Sequence, residues 1–87
     1  MFGVTLDQLR ATHSTGDLMG VTLQARGRGF CVVADYRSGA RAVLGRYSDL
    51  QPRTFLDAGR ALRLLRDIGL GTAKVEMTEW TPEREAV

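Results

Sequence analysis

The segment from residue 19 to residue 36 constrains the fold more than any other part of the chain. Apolar residues occupy every second position in 19–25 and again in 30–36, which is the periodicity of β-strands. If Gly27 and Arg28 form the turn between them, facing residues have numbers that sum to 55, and every apolar position meets an apolar position. Glycine at the first turn position also suits a type II′ turn. The sequence therefore predicts a β-hairpin whose tip carries Arg28.

A third strand is predicted over residues 41–47, after a turn at Ser38-Gly39. Facing residues then have numbers that sum to 77, so Val43 lies beside Ala34 and Tyr47 beside Phe30 on the core face. The same register puts Ala42 and Leu44 on the second face of the sheet. That face is half apolar, and its other members are Thr22, Gln24, Cys31 and Val33.

Two amphipathic segments flank these strands. Thr5 and Gln8 have the spacing of a capping box, which predicts a short helix that ends in the polar stretch 13–17. Thr54 is the predicted N-cap of the main helix, whose apolar face covers the sheet and which ends at Gly69. A fourth strand is predicted over 72–77, with Ala73, Val75 and Met77 pointing inward.

These elements predict an α+β two-layer sandwich in the order α-β-β-β-α-β, with a three-stranded antiparallel meander, a C-terminal strand and one main helix on the sheet. We expect a single domain over residues 1–82 and a disordered tail over 83–87. One main helix covers only one sheet face. The second face is then covered by Leu6 and Leu9 of the first helix, by a partner protein or by a second copy of the chain.

The titratable residues do not form a pattern that predicts catalysis or metal binding. The chain has one histidine, His13, and one cysteine, Cys31, and their spacing does not support a catalytic dyad or a zinc site. Asp35 is expected to pair with Arg37 or Arg41 rather than act as an acid or base. We therefore expect no enzymatic activity, no cofactor and no small-molecule substrate. No apolar run reaches the ~20 residues of a transmembrane helix, and the N-terminus lacks a signal pattern, so we expect a cytoplasmic protein.

Positive charge is concentrated in the middle of the chain. Nine arginines and three aspartates lie in 26–66, a net formal charge of +6 (nine minus three), whereas the whole chain carries +2. The arginines of the predicted turns and strands have few acidic neighbours in the sequence, which makes them candidates for contact with a nucleic acid or a partner protein. The candidates are Arg26, Arg28, Arg37, Arg41, Arg46 and Arg53.

The stretch Gly20–Phe30, the segment Arg53-Thr-Phe55 leading into 61–69, and Trp80 near the end resemble the small partition-associated ParC-type proteins of bacterial plasmids and integrative elements. The resemblance extends over most of residues 5–82. It implies a bacterial cytosolic accessory protein of DNA maintenance, with DNA or a DNA-bound protein as partner. We therefore expect a non-enzymatic accessory or adaptor protein in plasmid or mobile-element maintenance, which binds a protein partner or a second copy of itself. Direct DNA binding through the six arginines is the alternative. The resemblance assigns no site residues.

Overall fold

The computed structural model describes residues 1–82, which form an α+β fold with one mixed sheet of six strands and two helices. In chain order the elements are β1 (Phe2–Val4), α1 (Leu6–Ser14), β2 (Leu18–Arg26), β3 (Gly29–Tyr36), β4 (Arg41–Leu44), β5 (Thr54–Phe55), α2 (Ala58–Asp67) and β6 (Lys74–Glu76). The predicted class is confirmed. The predicted order lacks β1 and β5, the short strands that precede the two helices, and the tail predicted for 83–87 lies outside the described residues.

The first hairpin has the predicted register. Leu23 lies opposite Val32 and Arg26 opposite Gly29, and Gly27 has a φ of 59°, the left-handed conformation that glycine adopts without strain. The exception is a bulge between Leu18 and Gly20, which places Leu18 instead of Met19 opposite Tyr36. Met19 is therefore 64% exposed, and its predicted inward position is wrong.

The predicted register of the second hairpin is wrong by one residue. Val33 lies opposite Val43 and Ala34 opposite Ala42, because the turn has three residues, between Tyr36 and Ala40, instead of the predicted two. One residue of slip exchanges the two faces of a strand. Leu44 therefore joins the helix-covered core instead of the second face, and Tyr47, predicted to be in the core, is exposed.

Capping residues determine where the helices begin and end. The capping box of Thr5 and Gln8 is present at α1. The start predicted for the main helix is wrong, because Asp57 rather than Thr54 accepts the N-cap hydrogen bond of α2. Its predicted end is confirmed. Gly69 has a φ of 104°, and the amide of Leu70 donates to the carbonyl of Leu65, as in a Schellman motif.

Both helices belong to parallel crossovers that run in the same direction across the sheet. The strand order is β1-β4-β3-β2-β6, with β5 paired to β3. The unit β1-α1-β2 passes over β4 and β3, and the unit β5-α2-β6 passes over β3 and β2. Such crossovers are nearly always right-handed, so both helices cover the same face. Leu9 of α1 and Leu65 of α2 accordingly share one core cluster with Leu23 and Val32.

The second sheet face is therefore not covered by α1. Leu6 and Leu9 share a cluster with Leu44, as predicted, but their predicted packing over Val33 is wrong, because Val33 lies on the other face. Val33 and Cys31 are nevertheless buried on this face. Part of the cover is the loop that follows β4. Its residue Leu50 lies so close to Gly3 that a Cβ there would be 2.6 Å from the carbonyl oxygen of Leu50.

Candidate functional site

A groove of about 630 Å³ opens at the β6 edge of the sheet. It exists because β6 begins opposite Thr22, so the first residues of β2 have no strand beside them on that side. The groove lies between β2, the C-terminal end of β3, the turn before β4 and the segment 72–76. Both apolar and charged side chains line it, including Val21, Tyr36, Asp35 and Lys74.

A polar cluster joins three strands at the floor of this groove. The Oδ1 atom of Asp35 accepts a hydrogen bond from Nε of Arg41 (2.7 Å), and its Oδ2 atom accepts one from the hydroxyl of Thr22 (3.2 Å). The predicted pairing of Asp35 with one of its neighbouring arginines is confirmed for Arg41. Thr22 is buried, and this carboxylate is the partner of its hydroxyl, so the cluster holds β2, β3 and β4 in register.

Apolar side chains are exposed along the same edge. Met19, Val75 and Met77, here called the edge patch, are 64%, 50% and 57% exposed. The inward positions predicted for Val75 and Met77 are wrong, because β6 is the last strand of the sheet and lies parallel to β2, beyond the cover of the helices. Within residues 1–82 no strand pairs with the outer side of β6.

Three of the six candidate arginines hold the fold together. Nε of Arg37 donates to the carbonyl of Gly16 (2.7 Å), and Arg41 pairs with Asp35 as described. Arg46 donates two hydrogen bonds to the carboxylate of Asp49. Those hydrogen bonds, with one from the Gln51 amide, hold the pKa of Asp49 below its ordinary value of 3.8.

The other three candidates have different surroundings. Arg28 is at the hairpin tip, and Arg26 lines a small cavity with Glu76 and Glu79. Arg53 stacks over the ring of Phe55, 5.0 Å from its centroid.

A different arginine group surrounds a second groove, of about 620 Å³, beside α2. Arg60 and Arg63 line it together with Arg53, and so do the carboxylates Asp57 and Asp67. Among the described residues, the side chains of Arg60 and Arg63 form no hydrogen bond or ion pair. Their position beside Arg53 follows from the strand β5, which the sequence did not indicate.

The residues considered for catalysis lie in separate surroundings. The ring of His13 lies against Gly69, where an added Cβ would be 3.2 Å from Nε2. Cys31 is buried, with its Sγ atom 3.9 Å from the hydroxyl of Thr54. In residues 1–82 no three histidine, cysteine or acidic side chains are placed to bind a metal ion together. Neither helix of this part of the chain is long and apolar enough to cross a membrane.

Comparisons with models of protein families, with curated proteins and with solved structures found no match to this chain. The candidate site is therefore inferred from the geometry of this chain alone. It comprises an unpaired sheet edge, the edge patch and the adjoining groove.

Proposed function

We propose that the chain is a non-enzymatic adaptor domain that binds a protein at the β6 edge and serves the maintenance of a bacterial plasmid or mobile element. The observation that carries the proposal is the edge patch, in which three large apolar side chains are at least half exposed near a strand whose outer side has no neighbour among residues 1–82. Exposed apolar clusters of this kind mark contact surfaces, and an unpaired edge offers backbone hydrogen bonds to an extended segment.

The surroundings of the reactive side chains support a binding role over catalysis. Asp35 already accepts hydrogen bonds from Thr22 and Arg41. Cys31 is buried, and His13 packs against the backbone of Gly69. A nucleophile with a neighbouring base is the usual minimum for covalent catalysis, and these groups have other partners. The setting, a bacterial cytoplasm and a maintenance region, rests on the resemblance to ParC-type proteins.

Site-specific photo-crosslinking tests the adaptor proposal. A photoreactive amino acid replaces Met77 in cells that carry the mobile element, and the matched control replaces Leu62, an exposed residue of α2. We expect position 77 to crosslink to one defined protein of the maintenance region, and position 62 not to. The variant V75E/M77E should then fail to restore retention of the element, whereas L62E should restore it. Equal crosslinking at both positions, or full rescue by V75E/M77E, would refute the proposal.

Direct nucleic-acid binding is the second candidate, and the groove beside α2 favours it. Arg53, Arg60 and Arg63 line this groove, and none of the three forms an ion pair among residues 1–82. Fluorescence anisotropy with single- and double-stranded DNA, titrated in salt, measures how many phosphates are neutralised. Replacing the three by alanine should reduce the slope of log affinity against log salt by about 0.9 for each lost phosphate contact. No binding at low salt would remove this candidate.

A further inference from the structure

We propose that two copies of the chain pair through β6, antiparallel and with the two-fold axis at Val75, to join their sheets into one. This inference rests on the proposed function, because it uses the same edge, and it names the occupant as a second copy. The pairing adds a strand to a strand whose outer side has no neighbour within the described part of the chain.

The charges of β6 are self-complementary in this register. In a two-fold antiparallel pair centred on Val75, facing residues have numbers that sum to 150. Lys74 of each copy then faces Glu76 of the other, so two opposite-charge pairs form across the junction. Directly facing opposite charges stabilise a strand pair, and facing like charges destabilise it.

The neighbouring registers do not share this property. A slip that moves the sum to 152 places Glu76 opposite Glu76, and a slip to 148 places Lys74 opposite Lys74. Each of these brings like charges together. Several registers keep the two-fold axis perpendicular to the sheet. Among them, the charges of Lys74 and Glu76 favour the register that is centred on Val75.

The apolar residues match in the same register. Val75 faces Val75, and Met77 faces Ala73 of the other copy, on the sheet face opposite Lys74 and Glu76. Val75 is 50% exposed and Met77 57% exposed in one copy, so the pairing removes from water the side chains that the fold leaves outside. Because the axis is perpendicular to the sheet, the helices of both copies lie on the same side.

The junction is short, so we expect weak association. β6 has three residues, and an interface of this size belongs to the class of transient contacts. Sedimentation equilibrium of the full chain over roughly 10 µM to 1 mM spans the affinities of such contacts. We expect the wild type to shift from monomer to dimer within this range.

A charge-swap series separates this pairing from other modes of association. K74E and E76K each place like charges opposite one another twice, and each should weaken dimerisation by at least about tenfold. The double variant K74E/E76K restores opposite charges and should dimerise like the wild type. A mixture of the two single variants should form a heterodimer. All three residues of β6 are exposed, so we expect these variants to fold, which circular dichroism checks.

The outcomes distinguish this inference from the adaptor proposal. A chain that remains monomeric to about 1 mM overturns the inference, and crosslinking of position 77 to another protein would still uphold the adaptor role. A dimer that is insensitive to K74E and E76K uses a different surface, which also overturns the inference. If position 77 crosslinks only to a second copy and the swap series behaves as expected, self-pairing stands and the protein bound at the β6 edge is the chain itself; the retention assay with V75E/M77E then tests whether this dimer serves maintenance.

Discussion

Replacement of Asp35 by alanine tests the polar cluster that joins β2, β3 and β4. The substitution removes the acceptor of the hydrogen bond from the Thr22 hydroxyl, and Thr22 is only 4% exposed. It also removes the ion-pair partner of Arg41. An unsatisfied buried hydroxyl costs about 1–2 kcal/mol. The ion pair adds about 0.5 kcal/mol, because its side chains are 42% and 28% exposed and water screens them. We therefore expect D35A to lower the free energy of unfolding by about 2 kcal/mol.

A second substitution isolates the contribution of the buried hydroxyl. T22V removes the hydroxyl and keeps the side-chain volume, so in the D35A background no orphaned group remains. The double variant D35A/T22V should be about 1 kcal/mol more stable than the sum of the two single effects implies. R41A is the matched control, because it removes the ion pair and leaves the Thr22 hydrogen bond, and it should cost only about 0.5 kcal/mol.

Urea unfolding of the four variants and the wild type, monitored by circular dichroism, gives these values. Additivity of D35A and T22V within about 0.3 kcal/mol would refute the reasoning, because coupling between neighbours is the signature of a shared hydrogen bond. The same result would mean that Thr22 has another acceptor, and the placement of the groove floor would then need revision.

Three further predictions test the turn, the surface loop and the first helix. G27A should cost about 1–2 kcal/mol from its φ of 59° alone, since no atom lies within 4 Å of the added Cβ; G71A, with equal space and no positive φ, should change the urea midpoint little. Asp49 has a lowered pKa owing to Arg46, so its contribution to stability is present above pH 3.8 and is lost as pH falls through the lowered value. D49N should abolish that part of the pH dependence, measured as urea midpoints from acidic to neutral pH. L9A should cost about 3 kcal/mol in urea unfolding because Leu9 is fully buried in the helix-covered core, and a loss well below 1 kcal/mol would contradict the position of α1.

The first hairpin could be predicted from the sequence because two independent signals agree. Alternation from residue 19 to residue 36 determines which side chains face one another, and Gly27 supplies the conformation that the two-residue turn needs. The ends of the helices have comparable local signals in the Thr5 capping box and in Gly69. Each of these features depends on a few neighbouring residues, so a single sequence contains the information.

The second hairpin could not be predicted because its strand has no alternation. Ala42, Val43 and Leu44 are all apolar, so either register satisfies the hydrophobic pattern, and the turn length decides between them. The start of α2 is ambiguous for a related reason. Thr54 and Asp57 are both good N-cap residues, and the backbone hydrogen bonds of β5 decide in favour of Asp57.

The candidate site depends on contacts between distant parts of the chain. The sequence indicated arginine-rich turns, but it could not show that Arg37, Arg41 and Arg46 would each have an internal partner. It also predicted that Val75 would point inward. That prediction assumed a helix above the last strand, whereas β6 lies at the end of the sheet. Position within the sheet, rather than the residue pattern of the strand, decides its exposure.

The path of paired strands ends at β1 and at β6, and the different surroundings of these two strands are the reason why we propose β6 as the binding edge. At the other edge, β1 has its central residue Gly3 under the backbone of Leu50, and Phe2 packs against Tyr36 with ring centroids 6.0 Å apart. The chain's own loop therefore covers one face of β1 at Gly3, and β1 carries no charges that could select a register. β6 combines an apolar centre with Lys74 and Glu76, one of each sign. A surface that recognises one partner and avoids indiscriminate strand addition needs both an apolar contact and charges that select a register. Of the edges formed by β1 and β6, only the β6 edge has both properties.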